Sequence, residues 1–286
     1  MPRQTKLDGT TGPVKALWLS VLLLVSLPAS PVRAESTVVI LATTTSTQDS
    51  GLLDVLVPLF QKKTGYTVKP IAVGTGKALE MARRGDVDVI LVHAPEAERP
   101  LVERGYVIHR RQFMHNDFVI VGPGADRARI SDAGSAALVL KKVAEAKAAW
   151  VSRGDDSGTH KKEDALWAEA GITPDREWYL ESGQGMGATL RIASEKGAYT
   201  LTDRATYLNL RKTLALEILF EGGADLVNRY SVYEVNPAKH SRIAVNHAGA
   251  KAFSDFLTSD EARAVIRDYG RERFGQPLFF LDPVKE

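Results

Sequence analysis

Four short segments of the 286-residue chain are built from hydroxyls and glycines. They are Thr43-Thr44-Thr45-Ser46-Thr47, Gly74-Thr75-Gly76, Ser157-Gly158-Thr159 and Gly183 to Gly187. A hydroxyl donates a hydrogen bond without adding charge, and a glycine lets backbone approach a ligand closely. One formal charge stands beside them: Arg153, a planar fork that suits an oxyanion and stays protonated. Asp155 is placed to hold that guanidinium; a carboxylate set against a dianion would repel it, so Asp155 belongs behind the arginine. Taken singly, these features read as a helix cap, a surface ion pair and a turn. Taken together, they point to a cage of neutral donors around an oxyanion.

The elements that would position the cage alternate between strand and helix. Val38 to Leu41 is a short buried strand, and Ser50 to Thr64 carries Leu52, Leu53, Leu56, Leu59 and Phe60 on one helical face, stopped by Gly65. Tyr66 to Val73 alternates as a strand, Lys77 to Arg84 is helical, Val87 to Val92 is a strand, and Pro95 opens a helix to Gly105. Asp117 to Val121 is a strand, and Asp132 to Lys147 is a helix with Ser131 as its cap. The second half repeats the pattern: strand Ala149 to Ser152, a helix to Gly171, a helix opened by Gly183 to Gly187, and strand Ala198 to Leu201. Extended stretches at 215–220 and 229–235 and helices at 248–257 and 260–269 close the chain. This grammar predicts an α/β fold with mostly parallel sheets. In such sheets ligands bind at the carboxyl ends of strands, where helix N-termini favour anions. Two lobes made this way would be tied together by strands near 117–122 and 227–235.

Composition narrows the function. With 37 basic and 35 acidic residues there is no polybasic surface for nucleic acid or membrane. Cysteine is absent, which excludes thiol catalysis, disulfides, zinc–thiolate sites and a lipidated N-terminal cysteine. Residues 1–34 read as a secretory signal: a basic start, the apolar run Ala16 to Leu27, and Val32-Arg33-Ala34 as a cleavage site after Ala34. Its removal takes away Arg3, Lys6, Lys15, Arg33 and Asp8, leaving 33 basic and 34 acidic residues, a net charge of −1. A soluble periplasmic monomer without stable membrane insertion is expected.

Longer stretches carry a resemblance. Residues 42–54 (ATTTSTQDSGLLD), 73–98, 116–123 (NDFVIVGP), 152–163 (SRGDDSGTHKKE) and 183–207 resemble the tungstate-binding proteins of tungstate ABC importers, and the likeness runs from about residue 37 to 281. Arg153-x-Asp155-x-Ser157-Gly158-Thr159 is also similar to the oxyanion loop of periplasmic phosphate-binding proteins. The resemblance implies a class II periplasmic binding protein with its ligand cleft between two lobes, residues 37–118 plus 232–286 and residues 119–231. It implies capture of tungstate, sometimes molybdate, for a permease driven by an ATPase, with no catalysis, no cofactor and no resident metal cation. It also implies the contacts: Thr44, Thr45, Ser46, Thr75, Gly76, Arg153, Ser157, Gly158, Thr159, Met186 and Gly187, with Asp155 orienting Arg153.

His93 lies where phosphate-binding relatives place an aspartate that accepts the phosphate proton. A histidine there can donate, which leaves two readings open: His93 donates to a fully deprotonated anion and disfavours protonated phosphate, or it only caps the strand end or packs beside Pro95. Hydrogen bonds to a charged group contribute roughly 1.5–3 kcal/mol each, and about six to eight of them are consistent with nanomolar binding, near −12 kcal/mol.

Other signals fail on spacing. Gly74-Thr75-Gly76-Lys77 has Ile71 where a P-loop needs its first glycine, and Ala78 follows the lysine. The last glycine of Gly183 to Gly187 is misplaced for a dinucleotide site, no G-x-S-x-G elbow occurs, and the six histidines show no H-E-x-x-H spacing. Molybdate, sulfate or phosphate on the same fold is the near alternative. An exported hydrolase using Ser157 and His160 is the distant one.

Overall fold

The computed structural model describes Gly9 and residues 36–241 and 244–285. The signal segment 1–34 and its cleavage after Ala34 otherwise lie outside the described residues. Among the described residues no helix is long and apolar enough to cross a membrane.

The chain runs β1 (Val38–Thr44), α1 (Thr45–Asp49), α2 (Leu52–Thr64), β2 (Thr67–Val73), α3 (Thr75–Arg84), β3 (Val89–Val92), α4 (Pro95–Glu103) and β4 (Val107–Gly122). It continues α5 (Ala136–Glu145), β5 (Trp150–Ser152), α6 (Gly158–Ala170), β6 (Tyr179–Glu181), α7 (Met186–Lys196), β7 (Thr200–Asp203) and α8 (Arg204–Leu210). It ends β8 (Glu217–Glu221), β9 (Val227–Val235), α9 (His247–Leu257), α10 (Asp260–Asp268), α11 (Arg271–Phe274) and β10 (Phe280–Lys285).

The main sheet has the strand order β10-β4-β9-β3-β1-β2, with β7 and β8 added on the far half of β4. Strands β1–β2, β1–β3 and β5–β6 pair in parallel. The pairs β10–β4, β3–β9, β4–β7, β4–β8 and β4–β9 are antiparallel. This corrects the expectation of mostly parallel sheets. The long strands β4 and β9 return through the middle of the molecule against the direction of their neighbours, which no local periodicity announces.

Strand β4 extends well beyond the expected Asp117 to Val121. Its first part carries His109, Arg110, Arg111 and Gln112, polar residues that hide a strand from pattern reading, and it pairs with β9 and β10. At Phe118 its partners become β7 and β8. The helix expected from Asp132 begins instead at Ala136, capped by Ser135, whose Oγ accepts from the Leu138 N–H at 3.3 Å. Ser131 hydrogen-bonds Asp126 instead, N–H and hydroxyl both reaching the carboxylate. Strand β10 and helix α8 lie outside the elements expected.

Alternation along the strands sorts side chains onto two covered faces. Val39, Leu41, Val89 and Leu91 join Leu52, Leu56, Phe60 and Phe253 in one core, while Ala42, Ile90 and Val92 pack with Ala78, Leu79 and Leu101 of α3 and α4 on the other face. Farther along β4, Phe118 and Ile120 pack with α5 and α6, and with Trp150 and Trp167. The buried Glu163 carboxylate accepts from both of those indoles, at 2.9 and 3.1 Å, and from the Tyr179 hydroxyl at 2.8 Å.

Phe60 is fully buried among Tyr66, Phe253 and Phe256. Phe60→Ala is expected to cost about 3–5 kcal/mol through lost burial and the cavity left behind, read as a lower midpoint in urea unfolding.

Candidate oxyanion site

The carboxyl ends of β1 and β5 place two of the four polar turns face to face. Thr45, at the start of α1, accepts from Arg153 Nη2 at 2.9 Å. The same Nη2 pairs with Asp155 Oδ2. Arg153 is 1% exposed, so this guanidinium has left water altogether. Its Nε and Nη1 are buried and meet no partner among the described residues. A buried, charged donor without an acceptor is costly, and here two donors of one guanidinium share that condition.

Two hydroxyls are in the same state. Thr75 Oγ1, at the start of α3, and Thr159 Oγ1, at the start of α6, are buried and unpartnered. The three turns border one another. Gly74 lies against the Asp155 carbonyl, the Gly76 N–H donates to the Asp156 carbonyl at 3.4 Å, and a Cβ on Gly158 would sit 3.2 Å from Thr75 Oγ1. The first-turn N–H groups of α3 and α6 have no helical acceptor four residues back. Guanidinium, hydroxyls and helix starts therefore converge, and all of them are donors. Asp155 holds the arginine, as expected, and its Oδ1 also accepts the Ser157 N–H at 3.2 Å.

Other expected residues have their polar atoms engaged elsewhere. Thr44 caps α1: its Oγ1 accepts from the Thr47 N–H at 3.1 Å and lies 2.7 Å from the Thr47 hydroxyl. Ser157 Oγ caps α6 by accepting the His160 N–H at 3.2 Å, though its own proton stays free to donate. The Gly187 N–H donates to Asp49 Oδ2 at 3.2 Å, and Met186 is a fully buried core side chain. The Gly76 N–H is spent on Asp156.

His93 departs from its expected role as a donor. Its Nδ1 donates to Asn228 Oδ1 at 2.8 Å, since the Asn228 amide nitrogen is turned to Asn116 Oδ1 at 2.7 Å. Nε2 then faces the hydroxyls of Thr44 and Ser46, at 3.0 and 3.1 Å, as an acceptor. Burial pushes the imidazole pKa down to about 4, and the nearby Arg153 charge works the same way. A neutral ring with both nitrogens occupied has no proton to offer an anion; His93 instead braces the start of α1.

Three residues near the arginine escaped sequence reasoning. Asp49 is raised by burial, against the pull of the Gly187 N–H and Arg153. Asp203 is fully buried; its Oδ1 caps α8 through the Thr206 N–H at 2.9 Å, and its Oδ2 has no partner. Burial lifts its pKa to about 6, and the Asp49 charge adds to the rise. Asn228 fixes the tautomer of His93. The signal for Asp203 was present: an aspartate at the end of a strand carrying Thr200 and Thr202, three residues before Thr206, is a helix cap.

The comparisons with known proteins bear on what this cage belongs to. A model of the PBP superfamily domain matches residues 31–261. The chain belongs to the PBP superfamily. It is 49% identical over 249 residues, 86% of each chain, to the tungstate-binding protein TupA of Peptoclostridium acidaminophilum. Among solved structures, the tungstate ABC transporter from Geobacter sulfurreducens is 48% identical with a TM-score of 0.75, covering 81% of this chain and 98% of that one. The tungstate-binding protein TupA from Desulfovibrio alaskensis G20 is 44% identical with a TM-score of 0.71, covering 86% and 98%. Within the superfamily the chain is thus a member of the TupA family, and the expected two-lobed α/β architecture holds.

Two measurements test this geometry. A methyl group on Gly158 would meet His93 Cε1 at 3.0 Å as well as Thr75 Oγ1. Gly158→Ala is therefore expected to weaken oxyanion binding by at least about tenfold, about 1.4 kcal/mol, in calorimetric titration, while the fold survives. The raised pKa of Asp203 means the folded state binds its proton more tightly than the unfolded state does. Its stabilising share is present below about pH 4 and is lost as pH rises through about 6. Asp203→Asn keeps the cap, so its melting temperature relative to the parent is expected to climb between pH 4 and 7 and then level off.

Proposed function

We propose that this chain captures tungstate, and molybdate alongside it, outside the cytoplasmic membrane and delivers it to the permease of an ABC importer. The observation that carries the reading is the Arg153 guanidinium, 1% exposed, with Nε and Nη1 unpartnered beside the unpartnered hydroxyls of Thr75 and Thr159. A site composed of donors, with one fixed positive charge, suits a fully deprotonated tetrahedral anion. The carboxylate beside the arginine is turned away from the role of accepting the proton of hydrogen phosphate: Asp155 is engaged by Arg153 and the Ser157 N–H. The TupA relatives from three organisms, two of them described as tungstate-binding and the third as a tungstate ABC transporter, support the choice of anion.

The ligand contacts we assign are the Arg153 fork, the hydroxyls of Thr45, Ser157, Thr75 and Thr159, and the first-turn amides of α3 and α6 other than Gly76 and His160, which are already engaged. Thr44, Ser46 and His93 support these from behind. We place the lobe boundary where β4 changes partners, at Asp117–Phe118, and at the start of β9, because β9 pairs throughout with β3 and the first part of β4. This moves the second crossing from near 231 to before Val227. Closure of one lobe on the other would complete the cage and present the surface that a permease reads.

Binding without turnover fits the Ser157–His160 geometry. The His160 backbone, not its ring, reaches Ser157 Oγ, and ring Nδ1 accepts the Asp156 N–H at 3.1 Å. A nucleophile needs a base within hydrogen-bond reach, and Ser157 has none there. Export through the 1–34 segment and a monomeric state complete the reading.

Calorimetric titration of refolded, anion-free protein with tungstate, molybdate, sulfate and phosphate tests it. Tight one-to-one binding of tungstate, with molybdate equal or weaker and the others silent, is expected. Arg153→Gln removes charge-assisted hydrogen bonds worth roughly 1.5–3 kcal/mol each, so a loss of at least about a hundredfold is expected. Arg153→Lys keeps the charge but loses the fork, and should bind weakly with poorer discrimination. Wild-type affinity in Arg153→Gln would sink the assignment.

A further inference from the structure

A second polar cluster lies far from the cage. His109, Glu234 and His247 each aim a potential ligand atom at one point, all of these atoms lying within 4.8 Å of one another. His109 Nδ1 is 2.9 Å, and His247 Nε2 3.1 Å, from the same oxygen, Glu234 Oε2. Glu234 sits near the end of β9, six residues beyond Asn228, so the cluster is about 20 Å along the strand from His93's partner. His247 opens α9. His109 stands where the β4–β9 register shifts between Ile108 and Arg111, with φ at 49°. A bulge of this kind re-aims a side chain, and here it belongs to a side chain in contact with Glu234.

Hydrogen bonding alone accounts poorly for the arrangement. Both imidazoles crowd one oxygen of the carboxylate, while Glu234 Oε1 is left buried and unpartnered. Glu234 is 0% exposed. His247 Nε2 is likewise buried without hydrogen-bond geometry to any acceptor, despite its distance from Oε2. Two ring nitrogens and a carboxylate are the donor set of a zinc site with one position open to water. Two such ligands on a tetrahedral ion, each at about 2.0–2.1 Å, lie roughly 3.4 Å apart, close to the 2.9 and 3.1 Å that separate the two imidazole nitrogens from Glu234 Oε2.

We propose that His109, Glu234 and His247 form a binding site for a divalent transition-metal cation, zinc in the first instance, separate from the oxyanion cage. The site ties β4, β9 and the start of α9 together. Binding to the folded chain alone makes the ion a stabiliser by mass action. Imidazole ligands exclude magnesium and calcium, which require oxygen. The three residues are scattered through the sequence, and no motif spacing links them.

The test uses purified protein without a polyhistidine tag, stripped with chelator and dialysed against zinc chloride. One zinc per chain and a raised melting temperature are expected, with magnesium giving neither. His109→Ala/His247→Ala removes two ligands at half-exposed positions and leaves the buried carboxylate in place. Its zinc affinity should fall by at least about tenfold, the lower bound for losing even an outer-shell partner, while tungstate titration stays at the parent value and reports that the fold is intact. His247→Ala alone should lie between. Equal zinc affinity in parent and double variant, or no zinc bound by the parent, would overturn the proposal.

Discussion

A guanidinium taken out of water shapes the middle of this molecule. Arg153 touches Thr45 across the cleft and Asp155 two residues along its own loop. An isolated buried charge is among the most expensive features a fold can carry, so the surrounding structure has to supply oriented partners. Asp155 satisfies one edge of the fork and, through Oδ1, holds the Ser157 amide at the head of α6. The remaining edge, Nε and Nη1, is buried and unpartnered among the described residues, as are the hydroxyls of Thr75 and Thr159. The geometry that leaves this edge unpaired among the described residues is what supports the proposal that it receives an anion.

The rest of the architecture follows from holding those turns still. Thr44 caps α1 and meets His93; His93 is pinned by Asn228 on β9; Asn228 is pinned by Asn116 on β4. This chain of hydrogen bonds runs from the loop that carries Thr45 to the two long strands at the centre of the sheet. Its members are buried and neutral, so they supply rigidity with no added charge. The carboxylates near the arginine feel the same low-dielectric surroundings: burial raises the pKa values of Asp49 and Asp203.

Much of this was legible in the primary structure. Helices α2 and α10 have the periodicity that local physics demands, Gly65 and Gly171 stop α2 and α6, and the hydroxyl turns announce helix starts. The pairing of Arg153 with Asp155 follows from residue type and spacing, and Thr75 and Thr159 lie at the helix starts their turns announce. The role of His93 does not follow in this way. Residue type says that a histidine can donate, but the direction of its hydrogen bonds depends on Asn228, 135 positions away. The first half of β4 was hidden because a central strand that carries arginines and histidines along its length shows no simple alternation.

Local sequence determined the polar turns, the helix stops and the arginine with its carboxylate partner two residues on, because caps, dipoles and side-chain chemistry act over a few residues. The tertiary structure decided which of those turns meet, which hydroxyls remain free, the antiparallel return of β4 and β9, and the convergence of His109, Glu234 and His247. Those outcomes depend on contacts between segments far apart in the chain. Their geometry is set by how whole sheets and helices pack, and no short window of sequence contains it.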